Sequence, residues 1–186
     1  MGKQINKGFF TEFLKQGNNI GAVAPSSKHL VSKMLDPIDF SNVKCIVEFG
    51  PGTGSITTEL LNKMPDNSLL LVFEINKEFC DLLCEIKDKR MVIITDSAEN
   101  LDLYLQKYAI EKVDYIISSL PLFIIPNTVV ENVLMKVKKY LKPKGSFIQY
   151  QYSLNAYRKL KNLFKKVDLD FAMINLPPAF IFNCTN

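Results

Sequence analysis

Val47–Leu60 reads VEFGPGTGSITTEL, and this stretch decides how the rest of the chain is read. Val43, Cys45, Ile46 and Val47 form the short apolar run of a buried strand. Gly50, Pro51, Gly52, Thr53 and Gly54 then let the backbone turn sharply and approach a ligand without Cβ interference. A helix opening near Ser55 aims its unpaired N–H groups at whatever occupies that turn. A strand, a glycine turn and a helix in this order make a nucleotide-binding element. The dinucleotide fingerprint G-x-G-x-x-G, started at Gly50 or Gly52, lacks its third glycine. A phosphate loop needs Lys followed by Ser or Thr where this chain has Ser55-Ile56.

What remains is E-x-G-x-G-x-G over Glu48–Gly54, which resembles motif I of the class I S-adenosylmethionine (SAM) methyltransferases. Their ligand carries no phosphate, so the turn needs no basic residue. The resemblance implies cofactor contacts from Glu48, Gly50, Gly52 and Gly54. About twenty residues on, the apolar strand Leu69–Phe73 ends at Glu74 and Ile75. A carboxylate there offers two oxygens to a vicinal ribose diol. The third strand, Met91–Ile94, runs into Thr95-Asp96-Ser97-Ala98, and the resemblance implies that Asp96 meets the adenine amino group with Ser97 and Ala98 beside it. The fourth, Tyr115–Ser118, runs into Ser119-Leu120-Pro121-Leu122. The resemblance implies that Ser118 falls on the cofactor side of this loop, and Ser119 and Leu120 on the side of the methyl acceptor. Open α/β sheets bind ligands at the carboxyl edges of their strands, and all these groups fall on that edge.

The chain alternates helices and strands without repeats or long linkers. Helices are expected at residues 5–16, 27–35, 56–63, 77–86, 101–108, 128–140 and 155–164. Pro143-Lys144-Gly145 stops the 128–140 helix and leads into a fifth strand at 146–152, and the last two strands, 167–174 and 179–183, form a hairpin around Pro177-Pro178. The expected fold is α/β: a Rossmann-like, seven-stranded, mostly parallel sheet with an antiparallel last strand and helices on both faces. One domain spans residues 1–186, with an amphipathic helix over 1–16.

At 186 residues and 47% hydrophobic, the chain is large enough for a full core. No apolar run reaches the roughly twenty residues of a membrane span, and no signal peptide is visible at the start. Cys45, Cys80, Cys84 and Cys184 show no metal spacing, so no metal is expected and a reducing, cytoplasmic compartment is. Cys80 and Cys84 stand one helical turn apart, suited to packing on one face. His29 is the single histidine and is read as structural.

Charge is uneven. Of the 23 basic side chains, ten fall within residues 132–166, a stretch with no acidic residue. This excess suits an anionic bilayer or a nucleic acid, and equally two solvated helix faces. Arg90 and Arg158 are the only arginines, which disfavours base-specific nucleic-acid contacts. Near the start, Ile5, Phe9, Phe10, Phe13 and Leu14 share one side of a helical wheel, with Lys7, Glu12 and Lys15 opposite. Such a stripe lies in a membrane interface or docks on the core.

Four segments together resemble the short bacterial phospholipid N-methyltransferases: Phe9-Phe10 with Phe13-Leu14, residues 20–27 (IGAVAPSS), the motif I turn, and Asn175-Leu176-Pro177-Pro178-Ala179. The resemblance implies stepwise methylation of the phosphatidylethanolamine amine, with SAM consumed and S-adenosylhomocysteine released. It implies a monomer peripherally bound at the inner face of the membrane, with a phospholipid headgroup and an anionic surface as partners and no stable nucleic-acid partner. Ser26 and Ser27 match the turn that closes over SAM, binding its carboxylate or capping the helix that follows. The family's S-G-L-P appears here as Ser118-Ser119-Leu120-Pro121, which places a side chain beside the acceptor. Gln149-Tyr150-Gln151-Tyr152 resembles its Q-[FY]-x-Y pattern, which implies Tyr152 against the acceptor amine or phosphate, with a structural tyrosine as the alternative. The runner-up is an rRNA adenine N6-dimethyltransferase, whose fourth motif supplies a leading amide and a stacking ring where this chain has Ser119 and Leu122. A SAM-binding protein without activity is the third reading.

Overall fold

A computed structural model describes residues 27–175 and 177–186 of the chain. The amphipathic 1–16 segment, Ser26 and Leu176 lie outside the described residues. In chain order the elements are α1 (Lys28–Leu35), β1 (Cys45–Phe49), α2 (Ser55–Lys63), β2 (Leu69–Phe73), α3 (Lys77–Leu83), β3 (Met91–Ile94), α4 (Leu101–Lys107) and β4 (Val113–Ser118). There follow α5 (Asn127–Tyr140), β5 (Leu141–Gln151), α6 (Tyr157–Leu163), β6 (Lys166–Ala172) and β7 (Ala179–Thr185).

The seven strands form one sheet in the order β3-β2-β1-β4-β5-β7-β6. β1 to β5 are parallel, and β7 is antiparallel to both β5 and β6. Central parallel strands are covered on both sides, so they read as continuous apolar runs: all five residues of β1 are buried. The two faces have separate cores. Val47, Phe49, Leu71, Ile116 and Phe147 meet α4, α5 and α6 through Leu101, Val133, Val137 and Leu160. On the other face Ile46, Leu70, Val72 and Ile117 meet α1, α2 and α3 through Met34, Leu60 and Leu83. The expected α/β class, strand count and antiparallel ending are those observed.

Some boundaries differ from the sequence reading, for physical reasons. β5 begins at Leu141, five residues early, and takes Pro143-Lys144-Gly145 into an irregularity between the Val113–Leu141 and Tyr115–Ser146 pairs. Gly145 is needed there, since a Cβ would stand 2.3 Å from the Asp114 carbonyl oxygen. α3 stops at Leu83, because Arg90 folds the chain back: its guanidinium donates to Met64 O at 2.5 Å and Leu61 O at 2.8 Å, closing the carbonyl end of α2. Asp88 grips the same guanidinium, which pulls its carboxyl down to about 2. Cys80 and Cys84 do not share a buried face: Cys80 is buried against Glu74 O and Thr95, and Cys84 is exposed.

Candidate active site

The glycine turn sits where β1 meets α2. Gly50, Gly52 and Gly54 have φ of 65°, 56° and 82°, the left-handed region that glycine alone enters freely. Gly54 is the N-cap of α2, and its own N–H returns to Pro51 O at 3.1 Å. A Cβ on Gly54 would press on Leu83 and Ile86 at 3.0 and 3.1 Å, and one on Gly50 would meet Leu120 at 3.1 Å. Over Gly52 a Cβ would meet nothing within 4 Å among the described residues. Among the described residues the outer side of the turn is therefore open to a ligand, while its flanks are closed by packing.

Glu74 leaves the end of β2 and lies buried beside that turn. Its Oε2 accepts the Gly52 N–H at 3.4 Å and its Oε1 the Asn76 N–H at 2.8 Å. Burial raises its pKa, opposed by the backbone N–H groups of Asn76, Gly52 and Ile75. Each oxygen keeps acceptor capacity for one more donor. Glu48, on β1, is fully buried; Thr57 Oγ1 donates to its Oε2 at 2.7 Å, and its Oε1 has no partner among the described residues. Burial pushes this carboxyl up to about 8, with Glu74 adding to the rise. A buried carboxyl oxygen left without a donor beside an open glycine turn fits a ligand bearing an ammonium or hydroxyl groups, as SAM does.

β3 delivers Asp96 to the next position along the edge, since Glu74 N–H bonds Ile94 O at 3.0 Å. The Asp96 carboxylate accepts from Ser97 N at 2.7 Å, Asn100 Nδ2 at 2.9 Å and Tyr104 Oη at 3.1 Å. It therefore shapes the Ser97–Asn100 turn, in which Ser97 caps a short 3₁₀ turn and Ala98 is buried. Ile75 is half-buried between these groups.

The β4 loop closes the site on the other side. Ser119 N–H donates to Phe49 O at 2.9 Å, and the buried Ser118 hydroxyl accepts the Leu120 N–H at 3.3 Å. Leu120 lies against Gly50, and Leu122 turns into the core. Two residues that the sequence reading left without a role hold this loop. Gln149 and Gln151, both buried on one face of β5, donate their Nε2 groups to the Leu120 carbonyl at 3.2 and 2.7 Å. Their signal was present in the chain: two glutamines at alternate positions put two amides on one face of an otherwise apolar strand. Tyr152, at the end of the same strand, is exposed on the opposite face and packs edge-on against Tyr150.

Ser27 caps α1, its hydroxyl accepting the Leu30 N–H at 3.2 Å, while its own N–H donates to Asn175 Oδ1 at 3.2 Å. The structure thus brings Glu48, the three glycines, Glu74, Asp96 and Ser118–Leu120 to one sheet edge, with Ser27 tied to it through the β6–β7 turn. Among the described residues no cluster of His, Cys, Asp and Glu could hold a metal ion.

Residues 20–172 match the methyltransferase small domain family. The chain is 30% identical over 179 residues to the ornithine lipid N-methyltransferase of Singulisphaera acidiphila, covering 95% of this chain and 93% of that protein. It is 31% identical over 104 residues to ribosomal RNA small subunit methyltransferase A of Mycoplasma capricolum, covering 53% of this chain and 37% of that protein. Among solved structures, the N-methyltransferase NodS of Bradyrhizobium japonicum, in complex with S-adenosylhomocysteine, has the same fold. Its TM-score is 0.63 at 13% identity, over 86% of this chain and 88% of that one. Fold, glycine turn and sequence match lead to one conclusion: the chain belongs to the methyltransferase small domain family and is a class I SAM-dependent methyltransferase.

Proposed function

We propose that this enzyme methylates the amine of a membrane lipid headgroup, with phosphatidylethanolamine as the first acceptor. The observation that carries the reading is the likeness to a lipid N-methyltransferase along nearly the whole of both chains. The acceptor loop agrees with it. A flipped adenine needs an aromatic face, and Leu122 is instead buried in the core with no ring in its place. The ribosomal RNA methyltransferase matches over about half of this chain, so RNA methylation is the second reading.

SAM, when bound, supplies an activated methyl on a sulfonium. Glu74 takes the ribose hydroxyls, and Glu48 stands beneath the glycine turn for the amino acid end. Asp96 with Ser97 and Ala98 borders the adenine, and Ser118 closes the methyl side. Ser26 and Ser27 complete the enclosure. Ser119 and Leu120 form the wall that holds the acceptor nitrogen in line, and Tyr152 meets the headgroup from the far side. Alignment and exclusion of water are then the protein's main contribution. Residues 118–122 contain no carboxylate or imidazole, so the ammonium proton leaves to water or to the lipid's own phosphate.

The test is to incubate the protein with methyl-labelled SAM and vesicles of phosphatidylethanolamine or ornithine lipid, and separately with undermethylated small ribosomal subunits. Label is expected in lipid. Label confined to RNA would replace this reading with the second one, and binding of SAM without transfer to either acceptor would leave a SAM-binding protein.

A further inference from the structure

Phe123, on the turn after β4, is 71% exposed, and Met173 and Ile174, on the β6–β7 turn, are 72% and 75% exposed. Leu154, after β5, is exposed as well. β4, β5 and β6 point the same way, so these three turns leave the sheet at one edge, the edge that carries the glycine turn and Ser119. β4 and β6 are three strand spacings apart, about 14 Å, so the apolar groups border one patch around the acceptor loop.

The acids at its border are paired: Glu131 with Lys159, and Asp170 with Lys33. Residues 119–130, 152–159 and 171–179 contain Arg158 and Lys159 and no carboxylate. Lys28 opens α1 beside them, since Ser27 is bonded to Asn175. Lys28 and Arg158 are exposed, and neither enters an ion pair among the described residues. The basic 132–166 stretch is less available than its sequence suggests. Lys136 is held by Asp102, Lys138 by Leu163 O, Lys142 by Asp114 and Lys166 by Asp168. An apolar rim whose charges outside ion pairs, among the described residues, are the cations Lys28 and Arg158 matches the boundary between anionic headgroups and acyl chains.

We infer that this rim, led by Phe123, Met173 and Ile174, is the face that docks on an anionic bilayer and opens the acceptor loop directly onto the lipid surface. The inference rests on the lipid-methylation reading. Since the chain contains no tryptophan, one indole reports one site. Phe123→Trp and Ile174→Trp are compared with Met135→Trp, an exposed position on α5, in the full chain. Phosphatidylglycerol vesicles should shift the emission of the two rim indoles to the blue, and brominated acyl chains should quench them about threefold more than the α5 indole. Quenching at position 135 alone, or at none, overturns the docking face. Rim indoles already blue and shielded from acrylamide without vesicles overturn it too, because another part of this chain or a second copy would then cover the rim. A water-soluble short-chain phosphatidylethanolamine separates the two ideas. Its methylation with unquenched rim indoles sinks the docking face alone. Quenched rim indoles with no methylation of any amino lipid sink the lipid-methylation reading and leave the docking face standing.

Discussion

The Gln151 side-chain amide donates to the Leu120 carbonyl at 2.7 Å, so the loop after β4 is held by a strand that no local motif links to it. Gln149 adds a second donor to the same oxygen at 3.2 Å, and each amide also reaches Tyr150 O. The Leu120 carbonyl is thereby occupied and fixed. Gln151→Leu leaves the Leu120 carbonyl with only the longer Gln149 bond, with an expected stability loss of about 0.5–1.5 kcal/mol. SAM affinity should stay within about twofold, under 0.5 kcal/mol, while turnover falls. Calorimetry beside single-turnover methyl transfer checks the split; equal losses in binding and turnover would remove the positioning role.

Glu74→Ala should weaken SAM and S-adenosylhomocysteine together. It removes a buried carboxylate that accepts from Gly52 N–H with one oxygen and from Asn76 N–H with the other, and losing a charge-assisted contact costs about 1.5–3 kcal/mol. Unchanged titration curves for the variant would take Glu74 out of the ribose role.

Glu48 makes the ligand-free protein sensitive to alkali. Its carboxyl sits near 8 in the fold, against an ordinary 4.5, so between those values the folded chain keeps a proton that the unfolded chain has released. Stability therefore falls as pH rises through that window, by at most about 1.4 kcal/mol per unit, and levels off above about 8. Burial of Glu74 acts in the same direction. Glu48→Gln, which copies the protonated form, should flatten the slope and be the more stable protein at pH 8. Urea midpoints at pH 5.5, 7 and 8.5 decide it, and parallel lines for both proteins would refute the assignment.

Ser119 tests the acceptor wall. Ser119→Gly, which opens the loop, should keep or raise turnover, and Ser119→Phe should lower it by filling the acceptor space. SAM affinity should stay within about threefold for both, under 1 kcal/mol. A Ser119→Phe enzyme with full turnover would place the acceptor elsewhere.

Legibility in the sequence followed the range of the interactions. The glycine turn, Glu74 and Asp96 were readable because each depends on a strand end and its next few residues. The same holds for the α/β class, since buried parallel strands are apolar along their whole length. Boundaries set by distant groups were not readable. β5 starts early because Gly145 must pass the Asp114 carbonyl, and α3 stops early because Arg90 reaches across to α2. The link from Ser27 to Asn175 joins residues 148 apart, and the Gln149–Leu120 link joins residues 29 apart. Composition also overstated the basic 132–166 surface, because it cannot show that Lys136 and Lys142 are held by Asp102 and Asp114.

β7 follows β6 in the chain, yet it lies between β5 and β6. A ribosome therefore releases β6 before the strand that must separate it from β5. Until Ala179–Thr185 emerges, β5 keeps an open edge at Phe147–Gln151, and β6 has no native partner. Insertion of β7 is thus the step that completes the sheet, and a chain in which that step is delayed holds an unpaired edge on β5. Such an edge is a substrate for chaperones and a template for aggregation.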